Sequence, residues 1–274
     1  MSAVLKVLTG MVPGTPRLAY DEVGIGEPVI FLHGIGGNRT NWRDQLQSFA
    51  AVGRRAIAWD ARGWGGSDDY DGPLEFSDFS ADLSRLMQHL EIAQADFVGL
   101  SMGGLILQDF VLRRPGQVRS LVLADTSRPP MIDMGARWVE EFLAARRTPL
   151  LAGKTPADIA PVVALALTGS KAAPEVVKRV QDSLAVLRKD SYLKAMETVT
   201  RHVIPQEGYA AIAAPVLVLV GAEDKLTTPD AALRLSSVIP GAHLVVIRDA
   251  GHLSNMEQPA AFDDAVFRFL ARRP

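Results

Sequence analysis

Short, mostly apolar runs without alternation, separated by stretches of helical periodicity, constrain this chain more than any other feature. Residues 28–32, 55–59, 95–100, 121–124, 216–220 and 242–247 form such runs, each four to six residues long. They are short for helices and lack the alternation of a strand with one wet face, so they read as strands covered on both sides. Helical periodicity fills the gaps at 42–51, 79–90, 103–113, 230–237 and 259–270. Strand, helix and strand in succession make right-handed parallel crossovers. Two more strand-like segments, 4–8 and 17–22, come first, set off by Gly/Pro turns. The expectation is an α/β fold with a mostly parallel, doubly wound sheet of about eight strands.

The rhythm breaks once. After Asp125 roughly ninety residues carry helical patterns, at 135–147, 156–167, 174–188 and 191–202, with no convincing strand. Because the sheet resumes at 216–220, residues 128–205 are assigned to a helical cap inserted after the sixth strand, and 1–127 with 206–274 to the core. Open α/β sheets bind ligands beyond the carboxyl ends of their strands, and the cap should lie over that edge.

Composition removes several classes of function. The 274 residues are 48% hydrophobic and 22% charged, as in an ordinary globular protein. Basic and acidic side chains number 29 and 31, a balance without the cation excess that a phosphate backbone requires, so no nucleic-acid partner is expected. The arginine pairs, Arg146–Arg147 among them, read as solvated faces. No apolar run approaches the ~20 residues of a membrane span, and residues 1–10 lack the pattern of a secretory leader. The absence of cysteine excludes disulfides, thiolate metal sites and cysteine nucleophiles, and fits a reducing cytoplasm.

The chemistry gathers at the predicted strand ends. Gly99-Leu100-Ser101-Met102-Gly103 follows one strand and opens a helix, the setting of a nucleophile elbow, in which glycines permit a very tight turn around an exposed serine. A serine hydroxyl needs a base. Of five histidines, His89, His202 and His243 fall on helices or a strand start, and His33 is read as a loop prop; His252, after the last strand, is the expected base. Asp224, after the strand at 216–220, is the expected orienting carboxylate, with Asp125 in reserve and Glu223 turned elsewhere. The Gly-rich loop 33–37 would bring backbone amides to an oxyanion, Ile35 supplying one donor and Met102, at a helix start, the other.

These residues, in this order, resemble the α/β-hydrolase superfamily along essentially the whole chain. His33-Gly34-Ile35-Gly36-Gly37 is similar to its oxyanion loop and Asp60-Ala61-Arg62-Gly63-Trp64-Gly65-Gly66-Ser67 to its Asp-x-Arg-Gly-x-Gly-x-Ser segment. Gly99 to Gly104 resembles the elbow, Gly221-Ala222-Glu223-Asp224 the acid turn and Gly251-His252 the base. Within the superfamily, the elbow and the Gly-His-Leu-Ser-Asn-Met-Glu-Gln-Pro ending are similar to 3-oxoadipate enol-lactonases, small esterases and carbon–carbon bond hydrolases. Dehalogenases and epoxide hydrolases of this fold carry aspartate where this chain has Ser101.

The resemblance implies a serine hydrolase acting on a small ester or lactone. Three rival readings stay open: cleavage of a vinylogous diketone by the same triad, a ligand receptor signalling through its cap, and a perhydrolase or haloperoxidase-type side activity. Candidate substrate contacts are Gly34, Gly36, Trp42, Trp138, and Arg128 and Arg137 as grips for a substrate carboxylate. Apolar cap residues such as Trp138, Phe142, Leu143 and Met196 fit an acyl pocket and helix packing equally well. No cofactor or metal is expected. Gly34-x-Gly36 continues to Arg39 where a dinucleotide loop needs glycine, Gly153-Lys154-Thr155 has Thr148 where a phosphate loop needs it, and no His-Glu-x-x-His helix exists. The partner is a small molecule; an apolar cap face is compatible with a homodimer.

Overall fold

The computed structural model describes residues 4–272, so the outermost residues of the assigned core, 1–3 and 273–274, lie outside it, as does the start of the segment read for a leader. Its eight strands are β1 (Leu8–Val12), β2 (Leu18–Val23), β3 (Glu27–Leu32), β4 (Arg54–Trp59), β5 (Ala95–Leu100), β6 (Val118–Ala124), β7 (Val216–Gly221) and β8 (His243–Ile247), ordered β1-β2-β4-β3-β5-β6-β7-β8. From β4 to β8 every pairing is parallel; β1 with β2 and β2 with β4 are antiparallel. The first strand differs from expectation. It lies at Leu8–Val12 and not at 4–8, because hairpin pairing propagates from the turn, where Val12 faces Leu18.

Helices cover both faces of the sheet. On one side lie α1 (Arg43–Ala51) and, after the single turn α11 (Ser254–Glu257), α12 (Pro259–Ala271), through Leu46, Phe49, Phe262 and Val266. On the other lie α2 (Phe76–His89), α3 (Met102–Arg113) and α10 (Pro229–Val238), through Phe79, Leu83, Ile106 and Leu235. In α2 the buried Phe76, Phe79, Leu83, Leu86 and Met87 recur at helical spacing, which is why this segment coils and presses one stripe on the sheet. β5 is buried at every position, as the unalternating run predicts for a central strand.

Between β6 and β7 the chain forms α4 (Pro130–Asp133), α5 (Ala136–Leu151), α6 (Pro156–Leu167), α7 (Pro174–Ala185) and α8 (Lys189–Arg201), then α9 (Gln206–Ala210). α6 starts at Thr155, whose hydroxyl caps the Asp158 amide while Asp158 reaches back to the Thr155 amide, a capping box with Pro156 at the first helical position. These helices pack as two pairs, α5 with α8 around Val139, Leu143, Tyr192 and Met196, and α6 with α7 around Ala160, Ala164, Val180 and Leu184. Both pairs stand over the carboxyl ends of the strands and contribute to the same cavity as Gly34, Ser101 and His252. Among the described residues no helix is long and apolar enough to cross a membrane.

The strand that carries the 33–37 loop is anchored by Phe31, fully buried between the rings of Trp42 and Phe49, at centroid distances of 5.1 and 5.0 Å. Truncation there leaves a cavity that rigid neighbours cannot close. Phe31→Ala should lower the unfolding free energy by about 3–5 kcal/mol, read from urea denaturation; a loss below about 1 kcal/mol would show that the site repacks freely.

Candidate active site

Three strand ends and the loop after β3 assemble the site. Ser101 stands between β5 and α3 with φ 54° and ψ −114°, a left-handed conformation that costs about 1–3 kcal/mol for a residue with a side chain. Its amide donates to the Ala124 carbonyl at 2.9 Å, and the Thr126 hydroxyl donates to the Ser101 carbonyl at 2.9 Å. The turn is tight enough that a Cβ on Gly99 would sit 2.5 Å from the Gly103 carbonyl, and one on Gly103 would sit 2.3 Å from that of Leu32.

Ser101 Oγ lies 3.0 Å from His252 Nε2, and His252 Nδ1 lies 2.8 Å from Asp224 Oδ2. In that arrangement Nδ1–H donates to the carboxylate, leaving Nε2 free to accept from the hydroxyl. Asp224 also accepts from the Leu226 and Thr227 amides at 2.8 and 2.9 Å and from the Thr227 hydroxyl at 2.7 Å. Burial by itself would push the Asp224 carboxyl up, but the His252 ring and the Thr227 donors outweigh it and hold the group below its ordinary value. For His252, burial opposes the imidazolium, and Asp224 more than compensates, raising the ring above its ordinary value.

The other acids do different work. Asp125 accepts from the Gly221 amide at 2.9 Å and from the Ser254 amide and hydroxyl at 3.1 and 2.6 Å, tying β6 to β7 and to the histidine loop without touching the ring. Burial, with the charge of Asp224, pushes it up to about 8. Glu223 turns away and accepts from the Ser170 amide and hydroxyl at 2.6 and 3.0 Å, joining the acid turn to the α6–α7 connection.

The loop after β3 is held from below. His33 Nδ1–H donates to the Gly34 carbonyl at 2.8 Å while Nε2 accepts the Ala61 amide at 3.1 Å, so this histidine is a neutral prop. Trp64 Nε1 donates to the Ile35 carbonyl at 2.9 Å. A Cβ on Gly34 would lie 3.3 Å from Ser101 Cβ, which measures how closely the loop meets the elbow. The amides of Ile35 and Met102 have no acceptor among the described residues.

Two cavities meet at Ser101, with Ile35, Phe142 and Leu226 forming their shared wall. Gly34, Gly36 and one edge of the otherwise buried Trp42 line the first, and Trp138 lines the second. The structure keeps the two predicted arginines out of both. Arg128 is bound to Asp133, at 2.7 Å, which also takes Arg234 of α10, so it serves to pin α4; Arg137 has a side chain 92% exposed and pairs with Glu141. Arg146, read from the sequence as solvated, lines the first cavity together with Tyr192 and Asn41. Helical spacing carried that signal, since Arg146 follows Trp138 and Phe142 at intervals of four. Among the described residues no group of three His, Asp or Glu side chains is gathered in a way that could hold a metal ion.

The electrostatics predict a titration. With ¹³C-labelled histidine, the His252 resonance should titrate above the ordinary 6.5, and Asp224→Asn should move that midpoint down, because removing the partner leaves burial to favour the neutral ring. An unchanged midpoint in Asp224→Asn would exclude the carboxylate as the cause.

Comparison with known proteins agrees with this architecture. The family model described as alpha/beta hydrolase fold matches residues 27–259. The chain is 31% identical to 3-oxoadipate enol-lactonase 2 of Acinetobacter baylyi, with 89% of this chain and 88% of that protein covered. It is also 31% identical to the 2-hydroxy-6-oxononadienedioate/2-hydroxy-6-oxononatrienedioate hydrolase of Escherichia coli K12, over 94% and 92% of the two chains. A crystal structure of a hydrolase from Pseudomonas aeruginosa superposes with a TM-score of 0.83 at 29% identity, covering 97% of this chain and 98% of that one. The chain belongs to the α/β-hydrolase family.

Proposed function

We propose that the chain is a serine hydrolase that cleaves a small carboxylic ester or lactone through an acyl-enzyme on Ser101. The observation that carries this reading is the hydrogen-bonded series from Ser101 Oγ through His252 to Asp224, at 3.0 and 2.8 Å, on an elbow that holds the serine in a strained conformation. The similarity to an enol-lactonase supports the substrate class.

In the first half-reaction the Ser101 hydroxyl proton passes to His252 Nε2 as Oγ bonds to the carbonyl carbon. The resulting oxyanion takes the free amides of Ile35 and Met102, donors that strengthen as negative charge develops. His252 then gives the proton to the leaving oxygen as the carbon–oxygen bond breaks. In the second half, water loses a proton to His252, its oxygen bonds to the acyl carbon, the Oγ–carbon bond breaks and the proton returns to Ser101. Water is consumed, and an acid and an alcohol leave, or one hydroxy acid (or its keto tautomer) from a lactone. Asp224 steadies the imidazolium formed in each half.

A second reading, hydrolysis of a carbon–carbon bond in a vinylogous diketone, draws on the similarity to the E. coli hydrolase. Turnover of the diketone with none of esters or lactones would favour it.

The first test is labelling with a fluorophosphonate. One stoichiometric adduct should map to Ser101, be absent from Ser101→Ala and form far more slowly in His252→Ala; failure to label the folded protein would sink the reading. Ser101→Ala should lower kcat on any ester substrate by about 10⁴-fold or more. Because the base must be neutral, kcat/KM should rise with pH through a midpoint above 6.5, the ordinary histidine value, and a midpoint at or below it would contradict the raised His252.

A further inference from the structure

The inner face of α5 carries three side chains in one stack. Trp138 and Phe142 lie with their rings 4.9 Å apart and 17° from parallel, and the guanidinium carbon of Arg146 sits 3.7 Å over the Phe142 ring. The stack runs from one cavity to the other: Trp138 lines only the second, Phe142 lines both, and Arg146 lines only the first.

Arg146 has no ion-pair partner among the described residues, whereas Arg137 is matched by Glu141, Arg179 by Asp44 and Arg201 by Glu140; Arg147 and Arg188 also lack an ion pair, but neither lines the two cavities at Ser101. Its contacts are the Phe142 ring, the Phe142 carbonyl at 3.4 Å and the hydroxyl of Tyr192. No aspartate or glutamate lines either cavity. A guanidinium carries five N–H donors and stays charged at neutral pH, so most of this group's capacity is unspent and faces a space it shares with Ser101 and His252. Burial draws it down from its ordinary value with only Tyr192 opposing, which is the mark of a cation held without a counter-ion.

The direction of the chemistry says which half of a substrate meets it. The leaving oxygen must take its proton from His252 Nε2, and His252 lines the first cavity and not the second. The second cavity holds Met102, Thr126 and Trp138 and has no charged side chain. We infer that Arg146 is the anchor for an anionic group, a carboxylate in the simplest case, on the alcohol or enol half of the substrate, while the acyl half occupies the apolar cavity beside Trp138. Which half enters which cavity rests on the hydrolase reading; the anion site rests on the geometry of Arg146 alone.

Two pairs of esters test it. 4-Acetoxybenzoate and 4-acetoxybenzamide place a carboxylate or its neutral counterpart on the leaving group, and phenyl hydrogen succinate and phenyl succinamate place them on the acyl group. The kcat/KM ratio of charged to neutral ester should fall about 10- to 100-fold from the parent chain to Arg146→Met for the first pair, as expected for a charge-assisted hydrogen bond, and stay level for the second. Comparing ratios between proteins cancels the intrinsic reactivity of each ester. Arg146→Lys should keep an intermediate ratio, since it restores charge without the planar fork, and Arg137→Gln should keep the parent's ratio. An equal ratio in the parent and Arg146→Met would overturn the anion site; a fall confined to the succinate pair would overturn the leaving-group assignment. Binding separates this inference from the hydrolase reading. 4-Hydroxybenzoate should bind Ser101→Ala more tightly than 4-hydroxybenzamide, and that preference should vanish in Ser101→Ala/Arg146→Met even if fluorophosphonate labelling of the parent fails. Equal binding of the two phenols to Ser101→Ala would overturn the anion site while leaving Ser101 labelling as the judge of the hydrolase reading.

Discussion

The turn at Ser101 sets the terms for the rest of the molecule. A residue with a side chain is held at φ 54° because β5 must end and α3 begin with almost no intervening chain, and that requires backbone to meet backbone at Gly99, Gly103 and the Leu32 carbonyl. The unfavourable conformation is stabilised by what surrounds it: a central strand buried at every position, and hydrogen bonds from the Ser101 amide to β6 and from Thr126 to the Ser101 carbonyl. In return the hydroxyl projects beyond the sheet edge, where two other strand ends can reach it.

Those two ends are made to meet by a second close approach. A Cβ on Gly221 would lie 2.0 Å from the Gly251 carbonyl, so the acid turn after β7 and the histidine loop after β8 run side by side. Asp125, from the end of β6, bonds to both. The helices between β6 and β7 join the same structure. The His252 amide donates to the Leu167 carbonyl at 2.8 Å, and Glu257 gathers the amides of Gly169, Gly251 and Leu253. The end of α6 and the histidine loop are therefore one hydrogen-bonded unit, and the element that shapes the cavity also fixes the position of the ring facing Ser101.

α5 and α8 contribute something else. They are packed through their own apolar contacts, and α8 reaches the core through Ala195 and Val199 and through hydrogen bonds to the 69–74 segment, with Ser191 on Asp69, Lys194 on the Gly72 carbonyl and Thr198 on that of Leu74. The Trp138, Phe142 and Arg146 stack hangs from this pair. In the proposed reading, chemical steps and substrate recognition fall to different parts of the chain: the strand ends would carry the former, and the inner face of α5, which grades from aromatic to cationic, the latter.

What the sequence determined by itself is whatever depends on neighbours along the chain. Unalternating runs marked the buried strands, helical stripes marked the covering helices, and glycines flanking Ser101 marked a turn that only they permit. The order of serine, acid and histidine, each just after a strand, followed from the same local patterns, because parallel strands in one sheet bring their carboxyl ends to one edge. The first strand was misplaced because its pairing is set by the Val12–Leu18 register across a turn, a contact that apolar content at 4–8 does not report. The sequence pointed to Asp224 by its place after the strand at 216–220, but tertiary structure alone decided what the neighbouring acids do, Asp125 tying Gly221 to Ser254 and Glu223 accepting from Ser170. It likewise decided which arginines are spent: Arg128 meets Asp133, Arg137 meets solvent and Glu141, and Arg146 meets the cavity. A guanidinium on a long flexible side chain takes its role from partners distant in sequence, and only the folded chain brings those partners near or withholds them.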